Sequence, residues 1–251
     1  MSMVVAVGGK GGVGKTAIAA LLADLLSAKG VVLAIDADPS ENLGEALGIQ
    51  VKQTIGQVRE DLTNEIQEGK LAPGVAKQDI LDLRIAEAMV ESPRIDLLTM
   101  GRPEGQGCYC AANHMLRRAV DRLMHRYQYV VVDNEAGMEH ISRRTTEDVD
   151  VLLLVSDPTM RGVSVARRMK ELVSELKVRV KRVPLVINRV RNGLPPELRR
   201  VCDESGLEII ATIPEDLSLP AIEITGQPVT SLSDTSALKL AVRGIAAKLN
   251  M

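Results

Sequence analysis

Eight residues near the N-terminus, 9–16 with the sequence GKGGVGKT, constrain the fold of this chain most strongly. They match the pattern G-x-x-x-x-G-K-[ST] at every fixed position, follow an apolar run at 3–7 and precede a helical pattern at 15–28. Glycine permits the backbone conformations that a tight turn between a strand and a helix requires. The segment therefore predicts a strand–loop–helix unit, as found at the start of α/β folds.

The rest of the chain alternates short runs rich in Val and Ile with longer segments of helical periodicity. The predicted strands are 3–7, 31–35, 95–99, 129–132, 151–155, 183–187 and 208–213, and the predicted helices are 15–28, 111–126, 162–176 and 196–204. Several strands are apolar at consecutive positions, which is typical of strands covered on both faces. We expect one α/β domain over residues 1–251, with a mostly parallel central sheet of about seven or eight strands and helices on both faces, the architecture of P-loop NTPases. The charged segment 52–93 predicts a helical insertion between the second and third strands.

The composition narrows the class of protein. Forty-five per cent of the 251 residues are hydrophobic, 25% are charged and the formal charge is -2, which gives no indication of nucleic-acid binding. Phe and Trp are absent and there are three Tyr, so stacking platforms for single strands are scarce. No apolar run approaches the ~18 residues of a membrane span, and no basic leader precedes the first strand. We therefore expect a cytoplasmic protein without nucleic-acid or stable membrane binding.

The glycine-rich loop has the chemistry of a phosphate site. Consecutive backbone N–H groups can surround phosphates, and the N-terminus of the following helix adds partial positive charge. Lys15 is expected to contact the β- and γ-phosphates, and the Thr16 hydroxyl to bind Mg²⁺. The residues predicted to contact nucleotide here are Gly9, Lys10, Gly11, Gly12, Val13, Gly14, Lys15 and Thr16. A glycine-rich turn without a ligand is the alternative, and the strand–loop–helix context disfavours it, so we expect an ATPase that binds ATP and forms ADP.

Three carboxylates follow predicted strands in the order that such a site requires. Asp36 and Asp38 come directly after the second strand, and Asp133 ends the fourth. Carboxylates at the carboxyl ends of neighbouring parallel strands face the crevice that holds the phosphates. Each alone is also compatible with an aspartate that caps a turn. Together they favour a nucleotide site, in which Asp36 holds Mg²⁺ through water.

A pair of cysteines, Cys108 and Cys110, lies after the third strand beside a glycine-rich turn. Two sulfurs do not complete a tetrahedral metal site, but a two-fold dimer would supply four thiolates. The pair therefore indicates one metal on a dimer axis, and thiolates favour Zn²⁺, Ni²⁺, Cu⁺ or an Fe–S cluster. A pair of small residues in a turn is the alternative. Cys202, alone on a predicted helix, is expected to serve packing.

The second lysine of the loop, Lys10, makes the motif resemble the deviant Walker A motif of the family that includes the Min and Par ATPases and the nitrogenase iron protein. The resemblance implies that Lys10 crosses a dimer interface to the partner's nucleotide, a contact of the arginine-finger type. A solvated loop cation is the alternative.

The same resemblance assigns further residues. It implies that Asp38 lies in switch I and positions the attacking water. It implies that Asp133 is the Walker B aspartate and that Gly137, in switch II, senses the γ-phosphate. Asn188 and Pro214 would then hold the base, with the Asn188 amide recognising adenine; a routine turn residue is the alternative for Asn188.

Within that family the chain resembles the nickel-insertion ATPases of carbon monoxide dehydrogenase and acetyl-CoA synthase, the CooC type. The matching segments are 10–16, 36–39, 108–110, 136–140 and 187–190. The resemblance implies a homodimer that closes on ATP, binds Ni²⁺ (or Zn²⁺ in its place) through the paired cysteines, and delivers it to apo carbon monoxide dehydrogenase or acetyl-CoA synthase. Residues 52–93 match no motif of the family.

Two other functions stay open from the sequence. A positioning or partition ATPase of the Min and Par type would use an amphipathic C-terminal helix, and an apolar stripe does occur at 238–249, although a helix packed on the sheet gives the same pattern. An Fe–S carrier like the nitrogenase iron protein would need two well-separated cysteines per chain, whereas Cys108 and Cys110 are two positions apart.

Overall fold

The computed structural model describes residues 2–70, 76–102, 110–135, 148–175 and 179–251. Its strands are β1 (Met3–Gly9), β2 (Val32–Ala37), β3 (Ile95–Thr99), β4 (Tyr129–Asn134), β5 (Asp148–Ser156), β6 (Arg179–Arg182), β7 (Pro184–Val190) and β8 (Glu208–Pro214). They form one sheet in the order β3-β2-β4-β1-β5-β7-β8, with β6 beside β5. Every pairing between these strands is parallel. The predicted fold class is confirmed.

One strand of the sheet, β6, was not predicted from the sequence. It is formed by a short basic segment. Arg182 pairs with Val151 and Leu185 with Leu154, so β6 and β7 follow one another along the same edge of β5. Lys181 and Arg182 are tied to Asp150 and Glu208 on neighbouring strands. The charges therefore belong to interstrand ion pairs.

Helices connect the strands. They are α1 (Lys15–Ser27), α2 (Asn42–Leu47), α3 (Ile55–Gln67), α4 (Lys77–Ala88), α5 (Cys110–Met124), α6 (Met160–Glu175), α7 (Pro196–Glu204), α8 (Leu219–Ile224) and α9 (Ala237–Lys248). The four predicted helices correspond to α1, α5, α6 and α7. Residues 52–93 carry α3 and α4, as the predicted helical insertion requires, while the short helices α2 and α8 were not predicted.

Alternate residues of the central strands enter two separate cores. Val5 and Val7 of β1 pack with α1 and α9 on one face of the sheet, whereas Val4 and Ala6 pack with α3 to α7 on the other. Burial on both faces explains why the strands are apolar at consecutive positions. Leu238, Val242 and Ile245 of α9 are buried in the first core, so most of the C-terminal apolar stripe packs on the sheet, while Leu240 is exposed. Cys202 is buried in the second core.

In the described parts of the chain, no helix combines the length and apolarity that crossing a membrane requires.

Candidate nucleotide site

The candidate site lies at the edge of the sheet where β1, β2 and β4 end. Asp36 of β2 is in register with Asp133 of β4 on one side and with Thr99 of β3 on the other. Val7 of β1 is in register with Asp133, and the loop to α1 starts two residues later. The topology therefore brings the glycine-rich loop and the predicted carboxylates together.

Two glycines of the loop stand where a side chain would not fit. A Cβ at Gly9 would lie 2.1 Å from the carbonyl oxygen of Val155, and one at Gly14 would lie 2.7 Å from Nδ2 of Asn188. Gly14 has φ of 91°, the left-handed region that favours glycine, and it caps α1. The loop thus runs close to β5 on one side and to the end of β7 on the other.

Lys15 and Thr16 begin α1, directly after the glycine-rich loop. Lys15 is 6% exposed, and its Nζ donates to the main-chain oxygen of Lys10 at 3.3 Å, so the ammonium is held inside the curve of the loop. The Thr16 hydroxyl donates to Oδ2 of Asp133 at 2.6 Å. This bond joins the predicted magnesium ligand Thr16 to the predicted Walker B aspartate Asp133, 117 positions away in sequence.

The carboxylates of Asp36 and Asp133 are buried. Burial and the nearby Asp36 together raise the pKa of Asp133 to about 7, against the lowering effects of the Thr16 hydroxyl and the Lys15 charge. Burial likewise raises the pKa of Asp36 to about 6. Among the described residues, Oδ1 of Asp133, Oδ1 of Asn134 and Oγ1 of Thr99 are buried without a hydrogen-bond partner. Free oxygens beside buried carboxylates fit a hard cation such as Mg²⁺ with its waters.

The segment after β2 wraps around Asp36. Oδ1 of Asp36 accepts from the Asp38 amide at 3.1 Å and Oδ2 accepts from the Leu43 amide at 2.8 Å. Asp36 therefore organises the loop that carries Asp38. Asp38 accepts from the Ser40 amide at 2.9 Å and lines the cleft beside the loop. Glu41 has φ of 56°, a conformation that costs a non-glycine residue about 1–3 kcal/mol.

Lys10 points to its own chain. Its Nζ lies 2.9 Å from Oδ2 of Asp157, which follows β5. Oδ1 of Asp157 accepts from the Thr159 hydroxyl at 2.5 Å. Burial opposes ionisation of Asp157, but the bonds from Thr159 and Lys10 outweigh it and lower the pKa of that carboxyl. A Cβ at Gly162 would lie 2.1 Å from Oδ1 of Asp157, so glycine there leaves room for this arrangement.

A cleft of about 610 Å³ opens beside the phosphate loop. One wall contains Gly14, Lys15 and Asp38. Five further lining residues were not predicted from the sequence: Arg189, Leu219, Glu223, Gln227 and Val229. They follow Asn188 or Pro214 in the sequence, and nearness to these two residues, which were predicted to hold the base, could have indicated them. Pro214 itself ends β8 and is exposed.

Asn188 is buried at the end of β7, 6% exposed. Its Nδ2 donates to the Val13 carbonyl at 2.8 Å, and its Oδ1 accepts from the Arg189 amide at 2.9 Å. Both ends of the amide thus have partners in the protein.

The segment that carries the cysteines begins next to the nucleotide site. The Met100 amide donates to the Asp36 carbonyl at 2.8 Å, and the Gly56 amide of α3 donates to the Met100 carbonyl at 2.9 Å. Cys108 and Gly137 lie outside the described residues, and so does the side chain of Cys110, the first residue of α5. Among the described side chains, no group of three or more His, Cys, Asp or Glu is arranged to hold a metal.

Known proteins share this fold along the whole chain. A ParA family ATPase from Chlorobium tepidum superposes with a TM-score of 0.72 at 20% identity, covering 98% of each chain. The septum site-determining protein MinD of Pyrococcus horikoshii, solved with Mg-ADP, gives a TM-score of 0.71 at 19% identity, covering 100% of this chain and 96% of that one. The fold is thus that of the ParA and MinD class of P-loop ATPases.

The family follows from the sequence match. The model of the CobQ/CobB/MinD/ParA nucleotide binding domain matches residues 4–229, and the chain belongs to this family. An uncharacterised ATP-binding protein of Methanocaldococcus jannaschii is 41% identical over 98% of both chains. The carbon monoxide dehydrogenase accessory protein CooC of Rhodospirillum rubrum is 31% identical over 92% of this chain and 90% of its own. The septum site-determining protein MinD of Thermotoga maritima is 26% identical, over 99% and 88%.

Proposed function

We propose that this protein is an ATP-dependent metallochaperone. In the proposed cycle, a homodimer closes on ATP, holds one nickel ion between its two Cys108/Cys110 pairs, and releases it on hydrolysis to apo carbon monoxide dehydrogenase or acetyl-CoA synthase. The nickel ion is the cargo of this cycle, and zinc is an alternative occupant of the same thiolates.

The described site supports the ATP part of the proposal. Lys15 and Thr16 provide the phosphate and magnesium ligands of the motif, and Thr16 is already bonded to Asp133. Mg²⁺ would neutralise the buried Asp133 and the phosphates together. In this proposal Asp38, which lines the cleft, orients a water, and Lys10 contributes charge to the partner's nucleotide after leaving Asp157.

One observation carries the link between nucleotide and metal. The main chain that leads to the cysteine segment is bonded to the same residue that organises the nucleotide site, through Met100 N and Asp36 O. A change in the strand end on ATP binding would therefore reach the start of the cysteine segment within a few residues. The 31% sequence identity with an accessory protein of carbon monoxide dehydrogenase supports an enzyme of that kind as the recipient of the nickel.

Metal titration tests the cargo claim. Nickel is titrated into wild-type protein with MgATP and into the Cys108→Ala/Cys110→Ala variant, and bound metal is counted after gel filtration. We expect one nickel per two chains in the wild type and none held by the variant, while Cys202→Ala, which changes a buried core cysteine, keeps wild-type binding. Equal nickel content in wild type and the double variant would sink the proposal.

A Min-like positioning ATPase is a second candidate, favoured by the MinD match over nearly the whole chain. It predicts ATP-dependent binding to anionic vesicles. Burial of Leu238, Val242 and Ile245 in α9 argues against that helix as the anchor. Co-sedimentation with vesicles only in the presence of MgATP would replace the metallochaperone proposal with this one. An ultraviolet–visible spectrum of anaerobically purified protein tests the Fe–S alternative.

A further inference from the structure

The buried side-chain amide of Asn188 contacts the main chain of the phosphate loop. Its Nδ2 lies 2.8 Å from the Val13 carbonyl oxygen, across 175 residues of sequence. Arg189 is among the described residues that line the cleft, whereas Asn188 is not. The side chain thus contacts the loop without being part of the described lining of the cleft.

The bond to Val13 fixes the direction of an adjacent donor. In a trans peptide the carbonyl oxygen and the following N–H point in opposite directions, and the structure contains no cis peptide in its described residues. Holding the Val13 oxygen toward Asn188 therefore directs the Gly14 N–H to the other side of the loop. Gly14 lines the cleft, so this N–H faces the place where phosphates would bind.

The end of β7 is built to hold Asn188 in this position. Pairing between β7 and β8 shifts register between Ile187 and Val190, and Arg189 takes φ of 59°. The Arg189 amide then donates to Oδ1 of Asn188 at 2.9 Å, which fixes the orientation of the side-chain amide. A Cβ at Gly14 would meet Nδ2 at 2.7 Å, so this glycine also permits the close approach.

We infer that Asn188 is a positioning residue of the phosphate loop, which keeps the Gly14 N–H directed at the nucleotide phosphates and acts on every nucleotide regardless of its base. The inference rests on the proposed binding of ATP. It is separate from the role in adenine recognition that the sequence resemblance implies, since the bonds to Val13 and Arg189 leave a second N–H and a lone pair of the amide available.

Competition binding separates the two roles. A fluorescent ATP analogue is displaced by MgATP, MgGTP or magnesium tripolyphosphate from the wild type, from Asn188→Leu and from Asn188→Ala. Leu has a similar size but no donor; Ala is the second variant should Leu not fold. Asn64→Leu, the same replacement at an exposed position of α3, is the control. Thermal unfolding without nucleotide reports loss of structure separately.

We expect about tenfold weaker binding of all three ligands in the Asn188 variants, the effect of one lost buried hydrogen bond. Loss of ATP binding with GTP and tripolyphosphate unchanged would establish the base-reading role and overturn the inference. A lower unfolding midpoint with unchanged nucleotide affinity would overturn it as well. Failure of the wild type to bind ATP would instead contradict the proposed function.

Discussion

At the scale of single residues, three side chains of the loop are held by bonds within the chain. Thr16 is bonded to Asp133 at 2.6 Å, Lys15 is bonded within the loop, and Lys10 is paired with Asp157 at 2.9 Å. The first two arrangements suit binding within one chain. The third competes with the role across a dimer interface that we propose for Lys10, since one ammonium cannot lie beside Asp157 and beside a partner's nucleotide at once.

Replacing Asp157 therefore tests the role of Lys10. In Asp157→Asn the ion pair is lost at nearly constant size. We expect the ATP-dependent dimer to tighten by up to about thirtyfold, because closure breaks the pair in both chains and each partly exposed pair contributes at most ~1 kcal/mol. Sedimentation equilibrium with MgATP measures the change. Glu208→Gln, which removes the exposed pair with Arg182, should leave dimerisation unchanged. A dimer that is equally stable or weaker in Asp157→Asn would contradict the proposed movement of Lys10.

At the scale of elements, α3 forms a support for the segment between β3 and the cysteines. A Cβ at Gly56 would lie 2.6 Å from the Arg102 carbonyl oxygen, and the capping box of Thr54 and Gln57 fixes the start of the helix in that place. The helical insertion, for which the sequence suggested no role, thus holds the main chain that leads to Cys108.

Gly56→Ala is expected to push residues 100–102 off α3. We expect destabilisation by about 1–3 kcal/mol, the usual cost of overpacking, and weaker nickel binding under the proposed function. Gly244→Ala is a matched control on α9, where a Cβ meets no atom within 4 Å and the change should stabilise by about 0.5–1 kcal/mol. Calorimetry and nickel titration report the two effects. Unchanged nickel affinity in a destabilised Gly56→Ala would show that α3 supports only the fold.

Asp216 ties the segment that follows β8 to the start of α9. Its carboxylate accepts from the Leu238 amide at 3.0 Å, from the Ser236 hydroxyl at 2.6 Å and from the Ser218 amide at 2.9 Å. Burial would raise the pKa of Asp216, but these bonds outweigh it and lower the pKa well below 3.8. A lowered folded-state pKa means that the stabilisation is complete above the unfolded value and is lost as pH falls below it.

Asp216→Asn is expected to lower stability at pH 7 by about 1–3 kcal/mol, the range for hydrogen bonds to a charged group. The difference from wild type should shrink as pH falls from 5 to 2, because the Asp216 carboxylate of the unfolded chain then binds a proton, which favours unfolding of the wild type. Thermal unfolding across this range measures it, with Asp203→Asn on α7 as an exposed control. A difference that stays constant down to pH 2 would show that the charge of Asp216 contributes nothing.

Local patterns explain what could be predicted from the sequence. The glycine-rich motif predicts the strand before it and the helix after it. Parallel strands align Asp36 with Asp133 at one edge of the sheet, so short motifs were enough to predict that these residues lie together. Contacts between distant segments could not be predicted in this way. The bond from Asn188 to Val13 and the pair of Lys10 with Asp157 depend on packing across 175 and 147 residues. Helix α8, six residues long, carries too little periodicity to be detected.

At the scale of the whole molecule, the sheet places every described part of the nucleotide site on one edge, with Lys10 at that edge and 33% exposed. The cysteine segment begins at the same edge, after Met100. In the proposed dimer, closure on ATP would bring both features of two chains together. Nucleotide and metal would then favour the same closed state, so each must raise the affinity for the other.

The proposal that two chains share one nickel ion is best tested by measuring the mass of the protein in solution together with its metal content. Size-exclusion chromatography with light scattering and metal analysis is run on the protein alone, with MgATP, with nickel, and with both. We expect a dimer of about twice the 27.1 kDa chain mass that contains one nickel ion. This dimer should be most stable with both ligands, and Lys10→Ala should remain monomeric. A monomer under all four conditions, or a dimer whose nickel content is independent of Cys108 and Cys110, would contradict it.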